Sequence, residues 1–270
     1  MLSLETFTDK IFFITGAGTG IGRRFATRAA ELGATVALAG RRENLLQETA
    51  DDIRNAGGKA LICPVDIRKP DEVEATIDAI VRETGHIDVL INNAAGNFVS
   101  RAEDISANGW NAVINIVLNG TANCTLAAGR HMLKQGSGKV LSISAAYAWY
   151  GGPGTAHSAA AKAGVIAMSQ TLAVEWGPRN VQVNCLCPGF VDTEQSRTAL
   201  WPTKEGQQRI LDSIPAGRFG TINETVEAGL FMCCPAANYI TGEVLVIDGG
   251  QWLNKGVFVL PELGQRYQKV

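Results

Sequence analysis

The sequence is poor in charge and in histidine. Charged residues make up 19% of its 270 positions, the net charge is −2, and three histidines are present. Such a chain lacks the basic excess that nucleic acid or an anionic membrane surface would attract, and neither is expected as a partner. The six cysteines (Cys63, Cys124, Cys185, Cys187, Cys233, Cys234) fall as C-x-C and C-C pairs or singly. These spacings match no zinc pattern and no small disulfide framework, so buried reduced thiols are expected and no metal. No apolar run reads as long enough to span a bilayer. The N-terminal residues lack the basic and apolar regions of a secretory signal. The final Gln268-Lys269-Val270 is not a peroxisomal address. These absences lead to the expectation of a single domain over 1–270, in the cytoplasm.

What is present is alternation. Short apolar runs at 10–14, 35–39, 60–63, 89–91, 139–143, 181–185 and 244–247 read as strands covered on both faces. Helical patterns lie between them at 21–32, 43–56, 71–84, 110–135, 155–176 and 223–233. This rhythm predicts βαβ units, a parallel sheet and right-handed crossovers with helices on both faces. Residues 190–218 break the rhythm with Pro202, Gly206 and Pro215, where a substrate lid is expected beyond a strand end. The tail, 251–270, reads as irregular.

The strongest local signal is Thr15-Gly16-Ala17-Gly18-Thr19-Gly20-Ile21-Gly22, between a predicted strand and helix. The glycines are spaced G-x-x-x-G-x-G rather than G-x-G-x-x-G. They still allow a sharp turn and close backbone approach to a pyrophosphate at a helix N-terminus. A glycine-rich turn without ligand is the plainer reading. The second strand ends Ala39-Gly40-Arg41-Arg42, with no carboxylate for a ribose hydroxyl. Two guanidinium groups there suit the 2′-phosphate of NADP(H), and Arg23 and Arg24 stand near enough in sequence to help. Further strand tips carry Asp66 and Ile67, then Asn93, Ala94, Ala95 and Gly96, then Ser144, and finally Pro188, Gly189, Val191 and Thr193. Asp66 is a candidate acceptor for the adenine amino group, and the late loop a contact for the nicotinamide amide.

The T-G-x-x-x-G-I-G loop, Asn92-Asn93-Ala94-Ala95-Gly96, the late P-G-x-x-x-T and Ile247-Asp248-Gly249-Gly250 together resemble the short-chain dehydrogenase/reductase family. The resemblance implies a Rossmann-type doubly wound sheet of seven parallel strands in order 3-2-1-4-5-6-7, and a homodimer or homotetramer. The ordinary family member carries Tyr-x-x-x-Lys. Here Lys162 fits, but Ser158 stands in place of the tyrosine. Ala145 stands where a serine is usual, and Val117 where an asparagine is usual.

The segments 92–98, 117–122 and 144–148, with Ser158-x-x-x-Lys162, are similar to the NADPH-dependent 2,4-dienoyl-CoA reductases within that family. There the tyrosine has moved to fifteen residues before the lysine, and Tyr147 stands at that spacing. The resemblance implies Tyr147 and Asn97 as oxyanion donors, Lys162 on the nicotinamide ribose and Ser158 as an orienting hydroxyl. It also implies contacts from Arg68, Phe98 and Ser106 to an acyl-CoA thioester. The subgroup's basic lid contacts are replaced by Ala199 and Gln208, with Arg197, Lys204 and Arg209 nearby. The chemistry has a reason. Hydride added at C5 of a conjugated dienoyl thioester sends charge to a thioester oxygen several bonds away, so its donors must be displaced from the nicotinamide.

Alternatives stand beside each of these residues. Tyr150 is a second candidate phenol, beside Trp149 as an aromatic wall. Asn97 is a turn cap on the plainer reading, Ser106 a helix cap, Arg68 a solvated charge and His157 a helix-start residue. For the chain as a whole, the alternatives are a reductase of another carbonyl or enone, trans-2-enoyl-CoA included, and a non-catalytic NADP(H) sensor.

Overall fold

A computed structural model describes residues 2–193 and 203–254. The chain opens with β1 (Ile11–Thr15), α1 (Gly20–Glu31), β2 (Thr35–Gly40), α2 (Glu43–Asn55), β3 (Lys59–Pro64), α3 (Pro70–Thr84) and β4 (Val89–Asn92). It continues through α4 (Ala107–Ile114), a π-helical turn (Asn115–Asn119), α5 (Gly120–Gln135), β5 (Gly138–Ile143), a single turn α6 (Tyr147–Tyr150) and α7 (Ala156–Trp176). It closes with β6 (Val181–Pro188), α8 (Lys204–Ser213), α9 (Ile222–Cys233) and β7 (Val244–Ile247). The strands form one sheet in the order β3-β2-β1-β4-β5-β6-β7. Every pairing is parallel, as the apolar runs predict.

Each face of the sheet buries its own core. On one, Phe12, Ile14, Val36 and Leu38 pack with Phe25 and Ala29 of α1, Leu46 and Ile53 of α2 and Leu230 of α9. On the other, Phe13, Ala37 and Leu90 pack with Ile77 of α3, Cys124 and Met132 of α5 and Trp176 of α7. All six cysteines are buried and free. Helix ends follow local chemistry. Gly85 and Gly136 close α3 and α5 in the left-handed conformation, and Thr221 opens α9 with a capping box to Glu224.

Four expectations are revised, two of them in one helix. The predicted helix at 110–135 begins three residues earlier, at Ala107, because Ser106 caps it. It runs through the π turn to Gln135, and at 29 residues it is long and apolar enough to cross a membrane. The expectation that no run reaches that length fails here. Half of its most apolar 18 residues are buried within the molecule, as in a core helix. Third, β6 extends three residues past 185, to Pro188, beside β7. Fourth, the region read as an irregular lid contains α8, capped by Thr203. Arg197, Ala199 and the rest of 194–202, like tail residues 255–270, lie outside the described residues. Gln251–Leu253 forms a 3₁₀ turn.

Candidate active site

The parallel sheet brings the ends of β1, β4, β5 and β6 to one edge, and the candidate residues follow. After β1, Gly16 takes a left-handed φ of +68°. A Cβ on Gly22 would lie 2.2 Å from the Gly16 carbonyl oxygen, so α1 approaches the loop as only glycine allows. Gly18 lies against Leu45, and Gly20 is open to solvent. Thr19 has extended backbone angles at the start of α1, and its hydroxyl makes no cap bond. The first N–H groups of α1, from Gly20, Ile21 and Gly22, have no helical partner and face outward with the positive end of the dipole. This is a cradle for a pyrophosphate, and the residues fit a dinucleotide.

Thr15, at the last position of β1, ties the cradle to the β4 loop. Its hydroxyl accepts from the backbone N–H groups of Asn93 and Ala94, each at 3.0 Å. Asn93 Nδ2 donates back to the Thr15 carbonyl at 3.0 Å. Sequence reasoning quoted Thr15 within the loop but gave it no role. A hydroxyl on the last residue of a strand before a glycine loop was the signal. Ala95 is exposed and Gly96 partly so, leaving the backbone there accessible.

The charged candidates divide. Arg41 and Arg42 are exposed at the start of α2. Arg23 is engaged by Asp52 at 2.5 Å and Arg24 by Glu31 at 2.7 Å, so both serve helix packing. Asp66 and Arg68 pair with each other through Nε to Oδ1 at 2.9 Å and Nη2 to Oδ2 at 2.5 Å. The Arg68 guanidinium pulls the Asp66 carboxyl down to about 2. Ile67 is buried, with its carbonyl accepting from Asn123 at 2.9 Å.

At the opposite side of the edge lies the displaced tyrosine. Tyr147 is not on an open loop but begins the turn α6, and its hydroxyl stands 2.9 Å from Ser158 Oγ on α7. Burial raises the Tyr147 phenol above its ordinary pKa, with the Ser158 hydrogen bond opposing and Cys187 adding to the rise. Tyr147 therefore stays a proton donor. It is this phenol that reaches Ser158, while Tyr150 and Trp149 on the same turn are exposed. The Trp149 indole rests on Trp252 at 5.6 Å between ring centroids.

Lys162, one turn along α7 from Ser158, donates from Nζ to the Ile143 carbonyl at 2.5 Å. Burial lowers its ammonium to about 8, with Cys187 and Cys185 opposing. Ser144 Oγ donates to the Lys162 carbonyl at 3.3 Å, locking α7 to the tip of β5. Val117 is buried in the π turn with Ala161 and Val165 of α7. Apolar packing holds α7 where an asparagine would otherwise stand.

Asn97 is exposed on the β4 loop. Its Oδ1 accepts from the Phe98 N–H at 2.9 Å, which leaves the Nδ2 donor group for a ligand. Among the described residues no hydrogen bond joins Asn97 to Tyr147. The Ser106 hydroxyl accepts from the Gly109 N–H at 3.1 Å, as a helix cap. At the end of β6, Pro188 and the following Gly189 are partly exposed, and the Gly189 N–H donates to the Ile247 carbonyl at 3.1 Å. Val191 is buried and bridges Gly220, with Thr193 partly exposed two residues on.

The seven-stranded order, the glycine cradle and a buried lysine one helical turn from the serine that meets a partly buried phenol define a dinucleotide-dependent oxidoreductase. Comparison with known proteins agrees. Residues 16–251 match the family model described as enoyl-(acyl carrier protein) reductase. A Bacillus subtilis (strain 168) protein named a probable 2,4-dienoyl-CoA reductase, (2E)-enoyl-CoA-producing, is 41% identical over 91% of this chain and 97% of its own length. The Rattus norvegicus peroxisomal 2,4-dienoyl-CoA reductase, (3E)-enoyl-CoA-producing, is 38% identical over 92% and 86%. The crystal structure of a gluconate 5-dehydrogenase from Burkholderia cenocepacia J2315, in complex with NADP and tartrate, superposes with a TM-score of 0.87 at 30% identity, covering 92% of this chain and 98% of that one. The chain belongs to the short-chain dehydrogenase/reductase family.

Proposed function

We propose that this chain reduces 2,4-dienoyl-CoA thioesters with NADPH, giving the 3-enoyl thioester. The observation that carries the reading is the 2.9 Å contact between Tyr147 and Ser158, which sets a phenol beside the hydroxyl that occupies the usual tyrosine position. The similarity to relatives named 2,4-dienoyl-CoA reductases supports the same substrate class.

Bound NADPH supplies a hydride. The chain's residues do the rest. Lys162, fixed by the Ile143 carbonyl, holds the nicotinamide ribose and keeps a cation or donor near the site. The Tyr147 phenol, oriented by Ser158, donates to the thioester oxygen as charge arrives there, and Asn97 Nδ2 supplies the second donor. Water brings the proton to C2. Arg41 and Arg42 select the 2′-phosphate, and Arg68 together with Phe98 flanks the acyl-CoA. Assembly into a homodimer or homotetramer belongs to the same reading. The cytoplasm remains the proposed location.

The test is NADPH oxidation with 2,4-hexadienoyl-CoA, run against crotonyl-CoA, a 3-ketoacyl-CoA and NADH. Consumption with the dienoyl thioester and NADPH alone is expected. Turnover of only the 3-ketoacyl thioester would replace this reading with ordinary carbonyl reduction. Product analysis separates proton delivery at C2, giving the 3-enoyl ester, from delivery at C4, giving the 2-enoyl ester named for the Bacillus relative.

A further inference from the structure

His157 is the residue immediately before Ser158, and nothing in the reduction uses it. It is fully buried, and neither ring nitrogen, Nδ1 or Nε2, has a hydrogen-bond partner among the described residues. The other two histidines are satisfied. His86 Nε2 lies 3.1 Å from the Asp9 carbonyl, and His131 Nε2 lies 2.7 Å from Asp78. A buried donor and a buried acceptor left without partners destabilise the arrangement that buries them, and native structures rarely keep such a pair.

What covers the imidazole is Phe98, edge-to-face at 4.3 Å between ring centroids. Phe98 itself is 39% exposed and follows Asn97 directly, its backbone N–H bound to the Asn97 side chain. The seat is therefore coupled to the loop that offers the second oxyanion donor. Phe98 also packs against Gly109 of α4, and α4 with the start of α7 borders an apolar hollow of about 470 Å³ lined by Ile105, Trp110 and Ala156.

We propose that His157 is a positioning residue: a deliberately unpaired seat on which Phe98 rests in the free enzyme and from which an entering acyl thioester lifts it. This inference rests on the acyl-thioester reading above. Once Phe98 turns onto the acyl chain, the imidazole gains water as a partner and the closed arrangement no longer competes. The unpaired nitrogens thus weaken the closed state and leave the open, binding-competent one populated.

Two variants and one spectrum test it. His157→Leu fills the seat with an apolar group of similar reach, and His157→Gln keeps a polar one. The Leu variant is expected to melt about 2–4 °C higher, because an orphaned donor and acceptor are gone. Its KM for 2,4-hexadienoyl-CoA should rise about tenfold with kcat and NADPH affinity unchanged, and His157→Gln should restore most of the wild-type KM. With only three histidines, ¹⁵N-imidazole resonances of the wild-type holoenzyme report on His157 directly. They should show a ring without hydrogen bonds that moves when a dienoyl thioester analogue is added. An unchanged KM in His157→Leu, or a His157 signal blind to the analogue while wild type turns over, overturns the seat and leaves the dienoyl reading intact. If wild type reduces no dienoyl thioester, that reading falls. A melting point in His157→Leu at or below wild type then overturns the seat as well.

Discussion

The two sides of the catalytic edge are built on opposite terms. Where β1 meets β4, side chains tie the loop backbone down, although Asn92 Oδ1 has no partner among the described residues. Thr15 accepts from two backbone N–H groups, and Asn93 returns a bond to the Thr15 carbonyl. At the start of α7, Tyr147 and Ser158 face each other, the exposed Asn97 keeps its Nδ2 group for a ligand, and His157 has no partner among the described residues. On the first side the loop backbone is held before any ligand arrives, and only the N–H groups at the start of α1 are left for an invariant pyrophosphate. The second is left for an acyl thioester to complete. Preorganisation is concentrated where the ligand never varies, and tolerance where it does.

The sharpest way to break this contrast is to add one carbon on the rigid side. Gly22→Ala places a Cβ 2.2 Å from the Gly16 carbonyl and 2.4 Å from Asn93 Nδ2. Neither is the loose end of a flexible chain. A loss of about 3 kcal/mol or more in unfolding free energy is expected, within the range for overpacking, with NADPH binding lost alongside. Urea unfolding and a fluorescence titration with NADPH check both. Stability and affinity at wild-type level would mean that the cradle is adaptable and the contrast false.

On the other side, Tyr147→Phe removes the displaced donor together with its contact to Ser158. Turnover of the dienoyl thioester should fall about 100- to 1000-fold, while the NADPH dissociation constant stays within about a factor of two, since the phenol lies away from the cradle. Steady-state kinetics and a binding titration separate the two. If Tyr150→Phe shows the loss instead, the Ser158 contact does not mark the active phenol.

The rigid side was also the legible one. Glycines at Gly16 and Gly22 act through the backbone, so their spacing carries the geometry in the sequence itself, and the apolar runs gave the parallel sheet for the same reason. The acyl side was legible in residue type but not in arrangement. The fifteen-residue spacing from Tyr147 to Lys162 pointed to the phenol. It did not reveal that Tyr147 starts a helical turn aimed at Ser158, because a four-residue helix carries too little periodicity to read. The pairing of Asp66 with Arg68 escaped because each was assigned separately to a ligand. His157 read as a helix-start residue, and its position is indeed the second of α7. Burial under Phe98 is a tertiary fact that no local pattern contains.

The smallest effect lies beyond the rigid side, at the Asp66–Arg68 pair after the edge strand β3. Arg68 holds the folded Asp66 carboxyl at about 2, against an ordinary 3.8. A depressed carboxylate contributes stability that is fully present above the unfolded value and is lost as pH falls through the folded one. Asp66→Asn should therefore be less stable than wild type by about 1 kcal/mol near neutrality, the shift being discounted because Arg68 is 41% exposed. The gap should close between about pH 4 and pH 2, where the wild-type carboxyl takes up its proton. Urea unfolding of both proteins at stepped pH reads this directly. A gap that persists at the acid end would show that the carboxylate acts there through shape rather than charge. The tip of β3 would then belong with the rigid cradle instead of with the charged rim around the acyl thioester.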